Sequence, residues 1–460
     1  MQLRSILCSA GVVLLAACAA GPDYRRPEVP APDRWQAKQQ DHLVDVRVWW
    51  RQFKDPVLDG LLEAAQQDSP SLAKATAAID KARAARGSSA AALWPSLTGN
   101  ASAARSGSLR RSTGVAETDL ATLDASWEVD LFGKHRRGVE SSEALLEGSR
   151  ADWQGARVSL MAEVASDYVD YRACRLKQQY YEEQAASQAS TLSLTTLSGK
   201  AGFTAQADVR LAEASAANTR ATALAQKVEC EVQVKSLVAL TGLDETDLRT
   251  RLGEAVAALP EPAGLEVAAV PADLLRQRPD LVSAERSLAS ALALIGVAEA
   301  QRFPSLSLSG SIGASRTRGV SVGTPWSFGP TLSLPIFDGG AIDASVKSAK
   351  ADYDSALASY RQTVRDAVKE VEQALTRLDS MAEREDAARR SAEGYASYLD
   401  ATERHRRAGG ASQLDLETAR RNAIGAQISL LELRQARLDY WIALYKAVGG
   451  GWQADEGNRS

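Results

Sequence analysis

The chain has 460 residues, room for two or three ordinary domains, and carries 54 basic against 58 acidic side chains. Its net charge of -4 gives no reason to expect a nucleic-acid partner, and its 45% hydrophobic residues exclude general disorder. Three His and four Cys leave little material for a metal site or for His-based catalysis. Prolines are absent between Pro95 and Pro260 and after Pro335. Because proline breaks helices, both windows predict very long ones.

The N-terminus predicts an export signal, because Arg4 precedes an apolar run that ends in small residues. The run is too short to span a bilayer, which takes about 20 apolar residues. It ends in Leu15-Ala16-Ala17-Cys18, the arrangement of a bacterial lipobox. We therefore expect a signal peptide at 1–17 and a diacylglycerol thioether with an N-acyl chain on Cys18, although a chance cysteine in an ordinary signal is the alternative. No Asp follows Cys18, so the expected location is the outer membrane.

The chain resembles itself at an offset of about 207 residues, which predicts a tandem duplication. Pro70-Ser71-Leu72 matches Pro279-Asp280-Leu281, and Trp94-Pro95-Ser96-Leu97 matches Phe303-Pro304-Ser305-Leu306. The predicted organisation is an N-terminal segment at 18–70, a first repeat at 71–270, a second repeat at 271–448 and a tail at 449–460.

Each repeat is predicted to begin with a helix, at 71–93 and 280–302, followed by two strands, at about 96–131 and 305–336. The strands are indicated by strict alternation of apolar and small polar residues, as in Ser305-Leu306-Ser307-Leu308-Ser309. A soluble hairpin would also alternate, but strands of about 10 residues with aromatic ends in an exported lipoprotein fit a membrane. Four strands cannot close a barrel, and open edges are not tolerated in hydrocarbon. The chain must then oligomerise, and a trimer gives twelve strands around a water-filled lumen.

After its strands, each repeat is predicted to form a helical hairpin, at 134–242 and 340–448, with a linker at 243–270. The helices are expected at 134–198, 205–240, 341–407 and 412–448, far longer than the usual 11 to 12 residues. Such lengths imply coiled-coil packing. Periodicity alone leaves open whether they form a tube wall or a solvated spacer. The predicted fold class is mainly α with a membrane β portion.

Several long motifs resemble one family. They are Gly21-Pro22-Asp23-Tyr24-Arg25-Arg26-Pro27, Trp49-Trp50-Arg51-Gln52-Phe53-Lys54-Asp55-Pro56, Leu275-Arg276-Gln277-Arg278-Pro279-Asp280-Leu281, Pro330-Thr331-Leu332-Ser333-Leu334-Pro335-Ile336-Phe337-Asp338-Gly339-Gly340 and Gly449-Gly450-Gly451-Trp452. In this order they resemble the NodT or OprM-like branch of the TolC family, the outer membrane factors of tripartite efflux pumps.

The resemblance implies a homotrimer with a twelve-stranded outer-membrane barrel, a periplasmic α-barrel of twelve helices and an equatorial belt. It implies passive conduction without a cofactor or a catalytic residue. The implied partners are a periplasmic adaptor, an RND-type inner-membrane transporter and outer-membrane lipid. A protein-secretion duct of the same architecture and a coiled-coil lipoprotein without a pore remain alternatives, and the substrate is open among drugs, metals and small aromatics.

The resemblance also assigns roles to the two hairpin tips, at 199–208 and 408–415. Gly202 and Gly409 would reverse the chain there with positive φ, where the family docks its adaptor. A periplasmic gate is expected among the residues that follow or face the second tip. These are Leu414, Asp415, Thr418, Arg421 and Asp208. Thr418 stands where the family commonly has an acidic residue.

The residues themselves give two further expectations. Asp124, Glu128 and Asp130 would face the lumen if Trp127 faces lipid, and threefold symmetry would turn them into cation-favouring rings. Cys174 and Cys230 lie equally far from Gly202 in sequence, so an antiparallel hairpin would bring them side by side. Because the periplasm is oxidising, they predict a disulfide.

Overall fold

In a computed structural model, the structure describes residues 19–27, 35, 50, 52–107, 115–253, 258–260, 277–318 and 321–450. The predicted signal peptide, Cys18, much of the 243–270 linker and most of the tail lie outside these residues. The helices are α1 (Pro56–Gln67), α2 (Pro70–Ala91), α3 (Lys134–Lys200), α4 (Gln206–Thr241), α5 (Glu245–Leu252), α6 (Pro279–Ala300), α7 (Ala341–Asp379), α8 (Met381–Arg407) and α9 (Gln413–Ala447). The strands are β1 (Ser96–Ser106), β2 (Ala116–Val129), β3 (Ser305–Thr317) and β4 (Trp326–Ser333).

The chain divides into two compact units, and each takes equivalent pieces of both predicted repeats. The first, here called the sheet unit, comprises Met1–Val29, Ala75–Trp153 and Asp280–Thr363. The second, the hairpin unit, comprises Pro30–Lys74, Gln154–Pro279 and Val364–Ser460. A single repeat is therefore not a compact body by itself.

The sheet unit holds one antiparallel sheet in the order β1-β2-β3-β4. β1 and β3 begin directly after Pro95 and Pro304, as the repeats predict. The predicted strand ends at 131 and 336 were too late, because β2 ends at Val129 and β4 at Ser333. Pro335, which has no N–H for a ladder, follows closely after β4. Behind the strands, α6 packs on the start of α3, where Ser141 and Ser290 share a 2.7 Å hydrogen bond and Leu288 is fully buried.

The hairpin unit is organised by α1 and by the long helices. Asp55 caps α1 by accepting from the amides of Val57 and Leu58, and Pro56 occupies the first helical turn. The same carboxylate accepts a 2.7 Å hydrogen bond from the hydroxyl of the fully buried Tyr168 on α3. This satisfies the only polar atom that Tyr168 brings into the core.

The predicted continuous helix at 341–407 is wrong in one respect, because a turn at Ser380 separates α7 from α8. The Ser380 hydroxyl donates to the carbonyl of Arg377 at 2.9 Å. A serine that bonds back to its own helix in this way competes with the backbone ladder and favours a bend. The other three long helices match their predicted ends to within two residues.

Candidate functional site

Apart from Leu120 on β2, the large apolar side chains of the four strands lie on one face of the sheet. The register sets Leu123 opposite Ile312, and Ile312 opposite Trp326. These cross-strand partners share a face, because opposing residues of antiparallel strands point to the same side. Trp326 is 78% exposed and Phe328 73%, so nothing within the described chain covers this face. Such an extended apolar surface marks contact with lipid or with protein.

The opposite face of the sheet is lined with hydroxyl and amide groups. Asp124 lies across from Thr98 on β1 and from Ser311 on β3. Its carboxylate accepts hydrogen bonds of 2.8 Å from Asn100 and from Thr122. The alternation read from the sequence therefore extends across all four strands and gives an amphipathic sheet.

Two of the three acidic residues expected on this face are engaged locally. Glu128 lies on β2 and pairs with Lys134 at 3.2 Å. Asp130 lies beyond the end of β2, and its carboxylate accepts from the amides of His135 and Arg136 at the start of α3. The Asp130 carboxylate is thus bound by the helix N-terminus, which favours a negative charge, and its place in an acidic ring stays a prediction.

The first hairpin tip, between α3 and α4, reverses at Gly202 with φ of 84°, as predicted. Its surface is apolar, since Phe203 is 86% exposed and Leu197 67%. The Ser198 and Thr204 hydroxyls close the turn at 2.6 Å. Asp208 is exposed in the first turn of α4.

The second tip, between α8 and α9, reverses at Gly409 with φ of 82°. Here Ser412 and Asp415 form a capping box, in which each side chain accepts from the other residue's amide. Hydrogen bonds from the Ser412 side chain and backbone hold the pKa of Asp415 below its ordinary value. The local cap therefore occupies the carboxylate of Asp415, one of the expected gate residues. Of the other expected gate residues, Leu414 and Arg421 are exposed and Thr418 is half-buried.

A buried carboxylate next to this tip was not anticipated from the sequence. Glu417 on α9 is 7% exposed and accepts hydrogen bonds from α3, 2.8 Å from Gln188 and 2.5 Å from Thr191. Gln413 donates to it at 3.0 Å, one turn earlier on α9. Several donors to one buried carboxylate stabilise its charged form, and here they tie α9 to α3.

Arg420 extends this network to a third helix. It lies 3.5 Å from Glu417, donates to Ser187 on α3 at 2.7 Å and pairs with Glu403 on α8 at 3.0 Å. The three helices α3, α8 and α9 are thus joined by polar contacts beside the second tip. Nothing in the local sequence distinguishes Glu417 from a solvated glutamate, because the donors on α3 that bury it are more than 200 residues away.

The first hairpin contains the predicted cysteine pair. The structure joins Cys174 on α3 to Cys230 on α4 as a disulfide, with their Cα atoms 5.6 Å apart. Both side chains are buried, and Gln226 donates to the carbonyl of Cys174 at 3.4 Å.

Three half-buried aspartates interact electrostatically where α3 meets α9: Asp167, Asp170 and Asp439. Asp439 accepts from Ser166 at 3.1 Å, and Asp170 from Gln435 at 2.6 Å. Burial, together with the charge of Asp170, raises the pKa of Asp439 to about 7. Burial and the neighbouring Asp170 likewise raise the pKa of Asp167 to about 6. Within the residues the structure describes, no three His, Cys, Asp or Glu side chains are grouped to hold a metal ion.

Comparison with known proteins agrees with this geometry. The sequence profile of the family described as Outer membrane efflux protein matches residues 61–243 and again 270–450. Nodulation protein T of Rhizobium leguminosarum bv. viciae is 33% identical over 450 residues, covering 96% of this chain and 92% of that protein. The probable efflux pump outer membrane protein TtgC of Pseudomonas putida is 31% identical over 463 residues, covering 96% and 95%. The solved outer-membrane channel OprN superposes with a TM-score of 0.83 at 32% identity, over 95% of this chain and 100% of that chain.

The amphipathic sheet, the long helical hairpins and the similarity to OprN define the class, an outer membrane channel protein with a periplasmic extension. Both halves of the chain match one profile, and the relatives align over nearly their whole length. The chain belongs to the outer membrane efflux protein family.

Proposed function

We propose that three copies of this chain form a passive exit duct, which conducts substrates that an inner-membrane transporter delivers through a periplasmic adaptor. The observation that carries the proposal is the amphipathic sheet with two open edges. Among the described residues, β1 and β4 each pair on one side only. Their remaining backbone N–H and C=O groups cannot stay unpaired in hydrocarbon, where each costs several kcal/mol.

Closure between copies removes both edges. When β1 of one copy pairs with β4 of the next, three copies give a closed barrel of twelve strands, wide enough for a water-filled lumen. The exposed apolar face then meets lipid, and the face with hydroxyl groups and Asp124 lines the passage. This geometry leaves Asp124 as the one proposed acidic ring, because Glu128 is paired with Lys134 and Asp130 caps α3. Reversal potentials should show a cation preference that Asp124→Asn weakens, while an anion preference of the unaltered channel would contradict the ring.

The long helices support the same assembly as the wall of an α-barrel. On α4, Leu224, Val228 and Val232 follow one another at a spacing of four residues, and each is at least half exposed. An apolar stripe at this spacing on a long helix is typical of coiled-coil packing against another helix. Neighbouring copies in the proposed trimer would cover it.

The proposed tandem duplication is supported by backbone geometry as well as by sequence. The profile matches twice in succession. Glycines with positive φ recur 207 residues apart, at Gly202 and Gly409 and again at Gly242 and Gly449. A shared requirement for left-handed backbone at matching positions is what two copies of one ancestral unit would retain.

In this proposal the chain performs no catalysis and needs no cofactor, because the transporter provides the driving force. The hairpin tips around Gly202 and Gly409 dock the adaptor. Cys18 carries the diacylglycerol and N-acyl chains that anchor the mature N-terminus in the membrane.

The gate is proposed at the second tip. Leu414, which is 66% exposed, narrows the passage sterically, while the exposed Arg421 contacts a neighbouring copy. Single-channel conductance should rise in Leu414→Ala and Arg421→Ala. Unchanged conductance in both variants would remove these residues from the gate.

Two measurements on the purified, full-length mature protein test the duct. Native mass spectrometry should give three copies, and planar bilayers should show discrete ion conductance. Replacing Thr331 in β4 by Pro should abolish both, because a second proline beside Pro330 disrupts the edge that must pair. A folded single copy in lipid, or a trimer without conductance, would overturn the proposal.

A further inference from the structure

The segment that follows Cys18 in the sequence docks on side chains and a glycine of α3 and α6 in the sheet unit. We call residues 19–26 the strap. At its start the Ala20 amide donates to the carbonyl of Phe132 at 2.9 Å, just beyond the end of β2. The strap has no helix or strand of its own, so its position depends on what it contacts.

Arg137 on α3 is the first part of the docking site. Its guanidinium is 7% exposed and donates to the carbonyls of Ala20 at 3.1 Å and Gly21 at 3.2 Å. It also pairs with Asp23 at 2.8 Å and, on its own helix, with Glu140 at 2.7 Å. Three of these four partner groups belong to the strap, so a lifted strap would leave much of a buried cation unsatisfied.

Glu285 on α6 is the second part, with the opposite charge. Its side chain is 6% exposed and pairs with Arg26 at 2.9 Å. The Tyr24 hydroxyl donates to its other oxygen at 3.2 Å, and Arg286 lies 4.0 Å away. A buried acid and a buried base are thus both completed by the strap. Ion pairs with two buried side chains of opposite charge fix the position of the strap more specifically than contacts with exposed side chains would.

Two glycines let the strap approach α6 at backbone distance. A Cβ on Gly21 would lie 2.5 Å from the Cα of Gly296, and a Cβ on Gly296 would lie 2.8 Å from the carbonyl oxygen of Ala20. Contacts this short are forbidden to real side chains. The glycines explain why this segment fits only in one place.

The docked strap begins beside aromatic side chains at the end of the sheet. Phe132 and Phe303 stack with ring centroids 4.7 Å apart, and Phe303 is 44% exposed. Aromatic residues at the ends of membrane strands mark the level of the membrane interface. A Cβ on Gly133, next to Phe132, would lie 3.0 Å from the Cβ of Ala19, so the strap begins at this level.

We propose that the strap is a coupling element, whose docking on Arg137, Glu285 and Gly296 fixes the acyl chains of Cys18 against the aromatic edge of the sheet. Docking and insertion of the acyl chains then favour each other. This inference rests on the lipidation of Cys18 given in the proposed function.

Trypsin cleavage after Arg25 in outer-membrane fractions tests the coupling. The docked strap should be cut slowly, and Gly296→Ala should speed the cut by about tenfold, because cleavage reports the open population. Gly138→Ala is the matched control, since it is also in a helix but a Cβ there meets nothing within 4 Å. Should Gly296→Ala fail to fold, Arg137→Gln replaces it, with the exposed Arg136→Gln as its control.

The lipid arm uses Cys18→Ser behind a cleavable signal peptide that is not of the lipoprotein type. Loss of the lipid should speed cleavage after Arg25 by about tenfold, because the inserted acyl chains favour the docked strap and cleavage reports the open population. A cleavage rate that does not change when the lipid is lost would overturn the coupling while leaving the duct intact. Mass spectrometry of the N-terminal peptide separates the two proposals, because an unmodified Cys18 removes the lipid anchor and the coupling together.

Discussion

The two helical hairpins have similar backbones but different side chains. Both tips turn at a glycine with nearly the same φ, 84° at Gly202 and 82° at Gly409. The first hairpin is joined by the Cys174–Cys230 disulfide. The positions 207 residues further on hold Met381 and Arg437, which cannot form one.

The two tips also differ in their side chains. The first exposes apolar side chains, whereas the second is capped by Ser412 and Asp415, follows a basic helix end and is held by Glu417 and Arg420. The disulfide links α3 and α4 of the first hairpin covalently. The hydrogen bonds and ion pairs of the second hairpin can exchange partners. We therefore expect the first hairpin to be the more rigid one and the second to move more readily.

Removing the disulfide should abolish the difference in rigidity. The bridge spans 56 residues, for which the chain-entropy relation gives about 4 kcal/mol. The double variant Cys174→Ser with Cys230→Ser should lose hydrogen-exchange protection in α4, while α8 and α9 keep theirs. A reductant should lower the hydrogen-exchange protection of α4 in the unaltered chain and leave that of the double variant unchanged. Free-thiol labelling of both cysteines in denatured, unreduced protein would contradict the bridge itself.

Neutralising the buried carboxylate should loosen the second hairpin. In Glu417→Gln the charge that Arg420 and the α3 donors stabilise is lost, at a cost of roughly 2 to 3 kcal/mol. The duct should then spend more time open, seen as higher single-channel conductance or open probability. Glu432→Gln is the control, because that glutamate is 55% exposed and forms a 3.2 Å ion pair with Lys177 at the surface. Equal behaviour of the two variants would remove Glu417 from the mobile hairpin.

The chemistry of the tips predicts two kinds of adaptor binding. Phe203→Ser should weaken binding by roughly tenfold, independent of salt, because it removes apolar contact area. Arg407→Gln at the second tip should have a smaller effect that disappears at high ionic strength. Binding of a periplasmic adaptor protein can be followed by interferometry, with Leu145→Ser as the control for an exposed leucine outside the tips. Salt-dependent loss in Phe203→Ser would contradict the assignment.

The acidic cluster gives a pH dependence to the α3–α9 contact. Because the pKa of Asp439 is raised to about 7 in the folded state, the folded chain binds more protons than the unfolded one from about pH 4 to pH 7. Stability should therefore fall as pH rises through this window and level off above it. Asp439→Asn should make the slope shallower, since Asp167 still has a raised pKa of about 6, and should raise the melting temperature at pH 8 by a few degrees. Thermal unfolding at pH 5 and pH 8 checks it, and an unchanged slope would count against the cluster.

Removing the cap should produce the smallest change. Ser412→Ala takes the hydroxyl from the capping box and costs about 1 kcal/mol. Faster hydrogen exchange should be confined to the first turn of α9. Ala205, which precedes α4 without a side-chain cap, shows that the first tip manages without this bond. Changes that spread to α3 would contradict a purely local role.

Much of the fold follows from the sequence because its signals are local. Pro70, Pro95, Pro279 and Pro304 set the starts of helices and strands, and alternation gives the strand faces. The cysteine spacing about Gly202 gives the pair that the structure bonds. Local patterns suffice wherever one residue's backbone preference decides the outcome.

The remaining features depend on distant partners or on competing local roles. Ser380 has a helical backbone, and nothing in the local sequence shows that its hydroxyl bonds back to Arg377 where the helix is interrupted. Asp130 fits a strand and a helix cap equally well by sequence. Glu417 becomes buried only because Gln188 and Thr191 approach it from a distant helix. These cases required coordinates.

The polar face of the sheet carries small hydroxyls, among them Thr98, Ser311 and Ser327, in direct cross-strand contact. These hydroxyls both donate and accept hydrogen bonds, and none is large or apolar enough to bind one solute in preference to another. In the proposed barrel, a molecule that has passed the tips would meet no binding site among these hydroxyls. Substrate choice is then left to the transporter and the adaptor. Replacing these hydroxyls, unlike replacing Asp124, should change the rate of passage more than the selectivity.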